Sequence, residues 1–245
     1  MTTTGNASAR RGRPGHDVGA VVDAGIRIFT ERGYDGATMD DIAAALGIAK
    51  SSVYHHVSGK EEILRRALNR ALGALEAVFD HATDGAASTT GQLESVVRGS
   101  VATLVAELPS VTLLLRVRGN SDTQRAALAR RRTLDVRLAN LVIQAQSDGV
   151  IRADLDPHVV ARLVFGTVNS LTEWYRPRAD DHVGDQPDHH IGDKAAQTAG
   201  ARDLADTVCA VIFDGLRVPA LGAVVPNGPV PNGAVPNGAV PSVAS

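Results

Sequence analysis

From Asp17 onward, apolar side chains recur at helical spacing. Val18, Val21, Val22, Gly25, Ile26 and Phe29 stand at i, i+3, i+4, i+7, i+8 and i+11, one face of a helix that Gly33 ends. A second helix opens at Thr38-Met39-Asp40-Asp41, where a threonine N-cap and an acid three residues on form a capping box. Ile42, Ala45 and Leu46 make its apolar face, and Gly47 stops it. A short third helix is predicted from about Lys50 to His56, with Val53 and Val57 turned inward. A fourth starts at Ser58-Gly59-Lys60-Glu61, a second capping-box-like string, and runs through Ile63, Leu64, Ala67, Leu68 and Ala71 to about His81.

Beyond a small polar loop near 84–91 the pattern predicts helices at about 90–107, 110–118, 122–148, 156–175 and 198–217. Pro109 and Pro157 fall near helix starts, where a missing N–H costs little. No stretch alternates with period 2, so no sheet is expected and the fold class is all-α. Residues 177–194, rich in Asp, His, Pro and Gly, read as a mobile loop. A period of five at 225–241, Val-Pro-Asn-Gly followed by Pro or Ala, suits neither helix nor strand and reads as a disordered tail. The expected organisation is a flexible basic arm (1–16), a three-helix head (17–62), a helical body (63–217) and the tail (218–245).

Composition supports helices. The 245 residues are 44% hydrophobic and only 3% aromatic, with abundant Ala and Leu. The net charge of −2 is unevenly spread. Residues 1–72 hold ten Lys/Arg against eight Asp/Glu, and Arg10, Arg11 and Arg13 precede every acid. The single cysteine, Cys209, excludes an intrachain disulfide and fits a reducing cytoplasm; its apolar setting predicts a core residue rather than a reactive thiol. No signal peptide or membrane span is expected.

The second and third helices, with the turn Gly47-Ile48-Ala49, have the spacing of a helix-turn-helix, whose second helix enters the major groove. That helix reads Lys50-Ser51-Ser52-Val53-Tyr54-His55-His56. Lys50, Ser51, Ser52, Tyr54, His55 and His56 are hydrogen-bonding groups, and the helix carries no acid, as a surface facing a line of phosphates requires. Thr38 and Ser58 are N-caps whose hydroxyls and helix-start amides can bind an anion. Lys60 stands in the first turn of a helix, against the macrodipole, so a phosphate partner gives it a reason. Arg11-Gly12-Arg13-Pro14 has the form of an extended basic strand for a narrow minor groove. Double-stranded DNA is therefore the expected partner. One short helix reads few base pairs, so a homodimer on a near-palindromic operator is expected as well.

The stretches Ile26–Ala43 and Gly47–Glu62 resemble the DNA-binding domain of the TetR family, with the turn, Tyr54-His55 and Lys60-Glu61-Glu62 at matching spacing; Val57-Ser58 departs from the commoner Phe-Pro or Phe-Lys. The resemblance implies a transcriptional regulator, not an enzyme: a dimeric repressor with a helical ligand-binding domain, its last two long helices joining it to a partner. Here Phe165, Val168, Leu171, Leu204, Val208, Val211, Ile212 and Leu216 are candidates for that interface or for the chain's own core. Segments around Leu114–Asn120 and Phe165–Pro177 resemble regulators of fatty-acid or phenylacetate breakdown that answer to acyl-CoA thioesters. Arg116, Arg118 and Arg176 would then meet phosphates, and Trp174 and Tyr175 would line or stack on the effector. A drug-like or other hydrophobic effector, or an activator, is the alternative. No cofactor is expected. Asp180, Asp181, His182, Asp185, Asp188, His189, His190 and Asp193 are metal-ligand types without ligand spacing, so no metal site is expected either.

Overall fold

The computed structural model describes residues 17–84, 88–176 and 190–217. Those residues form α1 (Val18–Arg32), α2 (Met39–Leu46), α3 (Lys50–Tyr54), α4 (Lys60–Asp84), α5 (Thr89–Ala106), α6 (Leu108–Leu115), α7 (Asp122–Ser147), α8 (Pro157–Trp174) and α9 (His190–Leu216). Among them the one β contact is an isolated antiparallel bridge between Ile151 and Arg217. The basic arm, most of the 177–194 segment and the Val-Pro-Asn-Gly tail lie outside the described residues.

The head is built by caps and one small core. Asp17 caps α1 by accepting from the Ala20 amide at 2.8 Å. The expected capping box of α2 is present: the Thr38 hydroxyl accepts from the Asp41 amide at 3.2 Å, and the Asp41 carboxylate accepts from the Thr38 amide at 2.9 Å. Gly47 takes the left-handed conformation, φ +65°, that lets the chain turn sharply into α3. Val22, Ile26, Phe29, Ile42, Val53, Val57, Ile63 and Leu64 are all buried together. Two sequence expectations shift here. The buried face of α2 is Met39, Ile42 and Ala43, with Ala45 exposed, and α3 ends at Tyr54 rather than His56.

Helix α4 belongs to both halves. Its first turns pack on α1, and its later turns pack on α5 and α7. At the α1 crossing a Cβ on Gly25 would lie 2.3 Å from Ile63 Cγ2, and at the α5 crossing a Cβ on Gly99 would lie 2.5 Å from Val78 Cγ1. Only glycine permits these approaches. The body is organised around α5, which touches α4, α6, α7, α8 and α9 and buries Leu93, Val96, Val97, Val101 and Leu104. Three donors of Arg130 on α7 strap it to α4: Nε and Nη2 donate to the Glu76 carboxylate at 2.8 and 2.6 Å, and Nη1 donates to Asn69 Oδ1 at 2.7 Å. Helix α9 begins at His190, so the last residues of the segment expected to be loop are helical.

The candidate interface residues divide. Val168, Leu171 and Val208 are buried in the chain's own core, and Phe165, Leu204, Ile212 and Leu216 lean on it. Of the eight, only Val211 is strongly exposed, at 69%. The residues left outward are different ones: Val159, Leu163 and Trp174 on α8, with Leu163 66% exposed. Among the described residues no single helix is long and apolar enough to cross a membrane.

Candidate DNA-reading head and its links to the body

Helix α3 presents Lys50, Ser51, Tyr54 and, at its C-cap, His55 to solvent, with Ser52 and His56 half-buried beside the buried Val53. Tyr54 is an exposed aromatic, at 48%. Burying Val53 and Val57 fixes which side of this short helix turns outward, so the polar side is presented as one surface. The adjoining face of α2 is low: Ala44, Ala45 and Gly47 are exposed and small, which allows a duplex backbone to approach.

Four expected contacts have other partners inside the head. The Thr38 hydroxyl hydrogen goes to Asp41 Oδ2 at 2.7 Å, and the Ser58 hydroxyl hydrogen to Glu62 Oε2 at 2.8 Å. A hydroxyl has one proton to give, so within the head the Thr38 proton is committed to its capping box and the Ser58 proton to Glu62, with Ser58 standing just before the start of α4 at Lys60. Glu62, not the expected Glu61, closes the second capping interaction, and also accepts from the Ser58 amide at 2.6 Å. Lys60 points its ammonium at the carbonyls of Tyr34, Asp35 and Ala37, at 3.0, 3.4 and 3.2 Å, and lies over the Tyr34 ring. It clamps the α1–α2 loop, which explains a cation in the first turn of α4 without a phosphate. Lys50 donates to Asp40 Oδ2 at 2.9 Å, which raises its pKa. Arg11 and Arg13 lie outside the described residues.

Glu61 has a different task. Its Oε2 accepts the Tyr34 hydroxyl, and its Oε1 accepts from the Ser121 hydroxyl at 2.9 Å. The hydrogen bond from Tyr34 is the largest cause holding the Glu61 carboxyl below its usual range, while burial and Glu61 together push the Tyr34 phenol up. Ser121 caps α7 and so belongs to the body. The corner before it is rigid: the buried Gln124 accepts through Oε1 from the amides of Arg118, Gly119 and Asn120 at 3.3, 3.0 and 3.1 Å, and Gly119 has φ +92°. From the same corner Arg116 Nη1 donates to the Thr30 carbonyl in the last turn of α1 at 2.8 Å. Sequence reasoning placed Arg116 on an effector phosphate; the structure places it on the head. The signal for the Arg116 and Glu61 roles is tertiary: Thr30 lies 86 residues from Arg116, and Tyr34 and Ser121 lie 27 and 60 residues from Glu61.

Of the other effector candidates, Arg118, Trp174 and Arg176 are exposed, and Tyr175 is packed against the core. Arg176 donates to the Tyr175 carbonyl at 2.9 Å. None of the five lines either of two cavities. One, of about 400 Å³, lies between α4 and α5 and is lined by Ala74, Ala77, Val78, His81, Ala82, Ser95 and Gly99. The other, about 390 Å³, lies between α1 and α4 and is lined by Val18, Gly19, Val22, Arg66, Asn69 and Arg70. Cys209 is buried, and burial pushes its thiol up, as expected of a core residue. Among the described residues no three His, Cys, Asp or Glu side chains are grouped to hold a metal; most of the Asp/His-rich segment falls outside them.

A helix-turn-helix head joined by one shared helix to a larger helical body defines a two-module DNA-binding regulator. The family model of bacterial regulatory proteins of the tetR family matches residues 21–67. The model described as the tetracyclin repressor-like C-terminal domain matches 86–214. The chain belongs to the TetR family of transcriptional regulators. It is 42% identical to SCO3833, a TetR-family regulator of Streptomyces coelicolor A3, whose crystal structure superposes with a TM-score of 0.68 over 89% of this chain and 98% of that one. It is 26% identical over 181 residues to the transcriptional repressor KstR2 of Mycobacterium tuberculosis, covering 71% of this chain and 84% of that protein. The structure of AibR in complex with isovaleryl coenzyme A and operator DNA shares the fold, with 24% identity, a TM-score of 0.61, and coverage of 80% of this chain and 97% of that chain. To the biofilm-operon repressor IcaR of Staphylococcus epidermidis the likeness is confined to 48 residues, 46% identical, which are 20% of this chain and 26% of that protein.

Proposed function

We propose that the protein is a homodimeric repressor that grips a near-palindromic operator through two copies of α3 and lets go when a small molecule occupies the body. The observation that carries the reading is the acid-free, outward polar face of α3, Lys50, Ser51, Tyr54 and His55, held by buried Val53. The domain limits are those of the sequence, 17–62 for the head and 63–217 for the body, with α4 shared between them. Such a protein works in the cytoplasm, where its operator is.

Dimerisation is supported by what α8 and α9 leave uncovered. Val159, Leu163, Gly166, Ser170 and Trp174 fall within about 80° of one another on α8 at 100° per residue. On α9 the exposed Gly200, Thr207, Val211 and Gly215 repeat the same spacing, with the half-buried Leu204 among them. A Cβ on Gly166, Gly200 or Gly215 would meet nothing. A glycine in an exposed helix costs about 1 kcal/mol relative to alanine, and close approach of a partner helix gives that cost a reason. A two-fold axis through this patch pairs it with itself and sets the two heads in opposite senses, as a palindrome requires.

Release follows from differential affinity: an effector draws the population toward whichever conformer holds it better. The α6–α7 corner supports this coupling, since Arg116 and Ser121 bond the body to the head at Thr30 and Glu61. A CoA thioester is the effector class favoured by the likeness to AibR, and Arg118, Trp174 and Arg176 remain exposed to meet one. The cavity between α4 and α5 is lined mainly by small apolar side chains, the chemistry an acyl group requires. The test is selection of genomic fragments by the purified protein, followed by fluorescence anisotropy on the recovered duplex with a series of CoA thioesters. Free CoA and the free acids serve as controls. Recovery of a palindrome released by a thioester alone supports the reading. Equal affinity for all duplexes at physiological salt overturns it, and insensitivity to every thioester overturns the effector class.

A further inference from the structure

Asp40 is the acid that meets the DNA-reading helix. Asp41 is engaged by its capping box and by Arg32, and α3 itself carries no carboxylate. Asp40 stands in the first turn of α2, exposed, with Oδ2 2.9 Å from Lys50 Nζ at the first position of α3. Their side chains are 68% and 49% exposed. A pair this wet contributes little to stability, and the helix dipole that favours an acid in the first turn of α2 does not explain why this one is set against Lys50 on a surface meant for phosphates. We infer that Asp40 is a positioning and specificity-setting residue for DNA recognition: it cancels the unselective pull of Lys50 on phosphate and holds the ammonium at the start of the reading helix, so that Lys50 gains only where a base edge offers acceptors. The inference rests on the reading of α3 as the DNA-contacting helix.

The physical argument is one of charge against a polyanion. A lysine contributes to binding of any duplex, because neutralising a phosphate releases counterions whatever the sequence. Pairing with Asp40 makes the start of α3 locally neutral, so that sequence-independent gain is withdrawn. At a matching site the ammonium exchanges the carboxylate for base-edge acceptors such as guanine O6 and N7. At a mismatched site the exchange returns less, and Asp40 faces phosphates unshielded. The head would thus trade absolute affinity for discrimination.

The test compares the protein with its Asp40→Asn variant on two probes: a duplex recovered by selection from a random 30-bp pool, and the unselected pool itself. Each is titrated between about 50 and 200 mM salt. The expected result is about threefold to tenfold tighter binding to the unselected pool, a smaller gain on the selected duplex, and a salt slope on the pool steeper by about one phosphate contact. In a Lys50→Gln background the Asp40→Asn change should lose most of its effect on the ratio of the two affinities. An unchanged ratio and slope, or equal weakening on both probes, would overturn the inference. Tyr54→Ala in the same assay keeps the two claims apart. If it leaves selected-duplex affinity intact, the reading of α3 fails, whereas if it abolishes that affinity while Asp40→Asn changes nothing, only the inference fails.

Discussion

Glu62 accepts hydrogen bonds from the amide and hydroxyl of Ser58 and from the guanidinium of Arg66, and protonation weakens the set, because the neutral acid is a poorer acceptor than the carboxylate. The Ser58 amide bond is the largest cause pushing its carboxyl down to about 2 from an ordinary 4.5. The folded state therefore binds this proton less readily than the unfolded chain. Stability from Glu62 is present above about pH 4.5 and drains away as pH falls toward 2. Thermal melts across that window should show a Glu62→Gln variant less stable than the parent at neutral pH and less dependent on acid; parallel curves would contradict this. Residues of this kind mark the boundary of what sequence reveals. The Thr38–Asp41 box is legible because its partners are three residues apart. Lys60 is legible only as an oddity, a cation where the helix dipole disfavours one, because the carbonyls that explain it lie 23 to 26 residues upstream. Choosing Glu62 over Glu61 as the cap depends on Tyr34 and Ser121 claiming Glu61, which no local pattern encodes.

At the scale of elements, the crossing of α1 and α4 is set by one missing methyl. Gly25→Ala would bring Cβ to 2.3 Å from Ile63 Cγ2 in the tightest part of the head. Alanine's better helix propensity returns about 1 kcal/mol, while overpacking a close-packed core costs about 1–3 kcal/mol. The clash prevails if Ile63 cannot move, and Ile63 is fully buried. Denaturant unfolding should show Gly25→Ala less stable, with partial recovery on adding Ile63→Leu, which removes the branched methyl. Inner faces of single helices were readable from spacing: Val53, Val57, Ile63, Leu64, Ala67, Leu68 and Ala71 are buried as expected. What spacing cannot do is choose between two apolar stripes on one helix. On α8 the periodicity of Val168 and Leu171 is as good as that of Val159 and Leu163. Only packing against α5 and α7 decides that the former pair is the chain's own core.

At the scale of the whole molecule, the proposed dimer has two heads that read two half-sites only if α8 and α9 fix their separation. Leu163→Glu places a charge at the centre of the outward stripe, and a two-fold axis brings its copy close. Light scattering should then report a monomer with unchanged helix content, and operator affinity should fall about 100-fold or more as the second head no longer benefits from the first. A monomer with full affinity would refute the two-head arrangement. Helix α4 gives this arrangement an angular as well as a linear dimension. It is a 25-residue shaft, with Ile63 and Leu64 keyed into the head and Phe79 and Ala82 keyed into the body. One residue inserted at Gly73, whose Cβ would meet nothing, turns one end about 100° against the other and lengthens the shaft by about 1.5 Å. Seven residues nearly restore the phase, to within about 20°, but add about 10 Å. Substitutions at Gly73 should therefore be tolerated in a reporter assay while single insertions there silence repression, so that in this segment reading frame in space matters more than the identity of the letter.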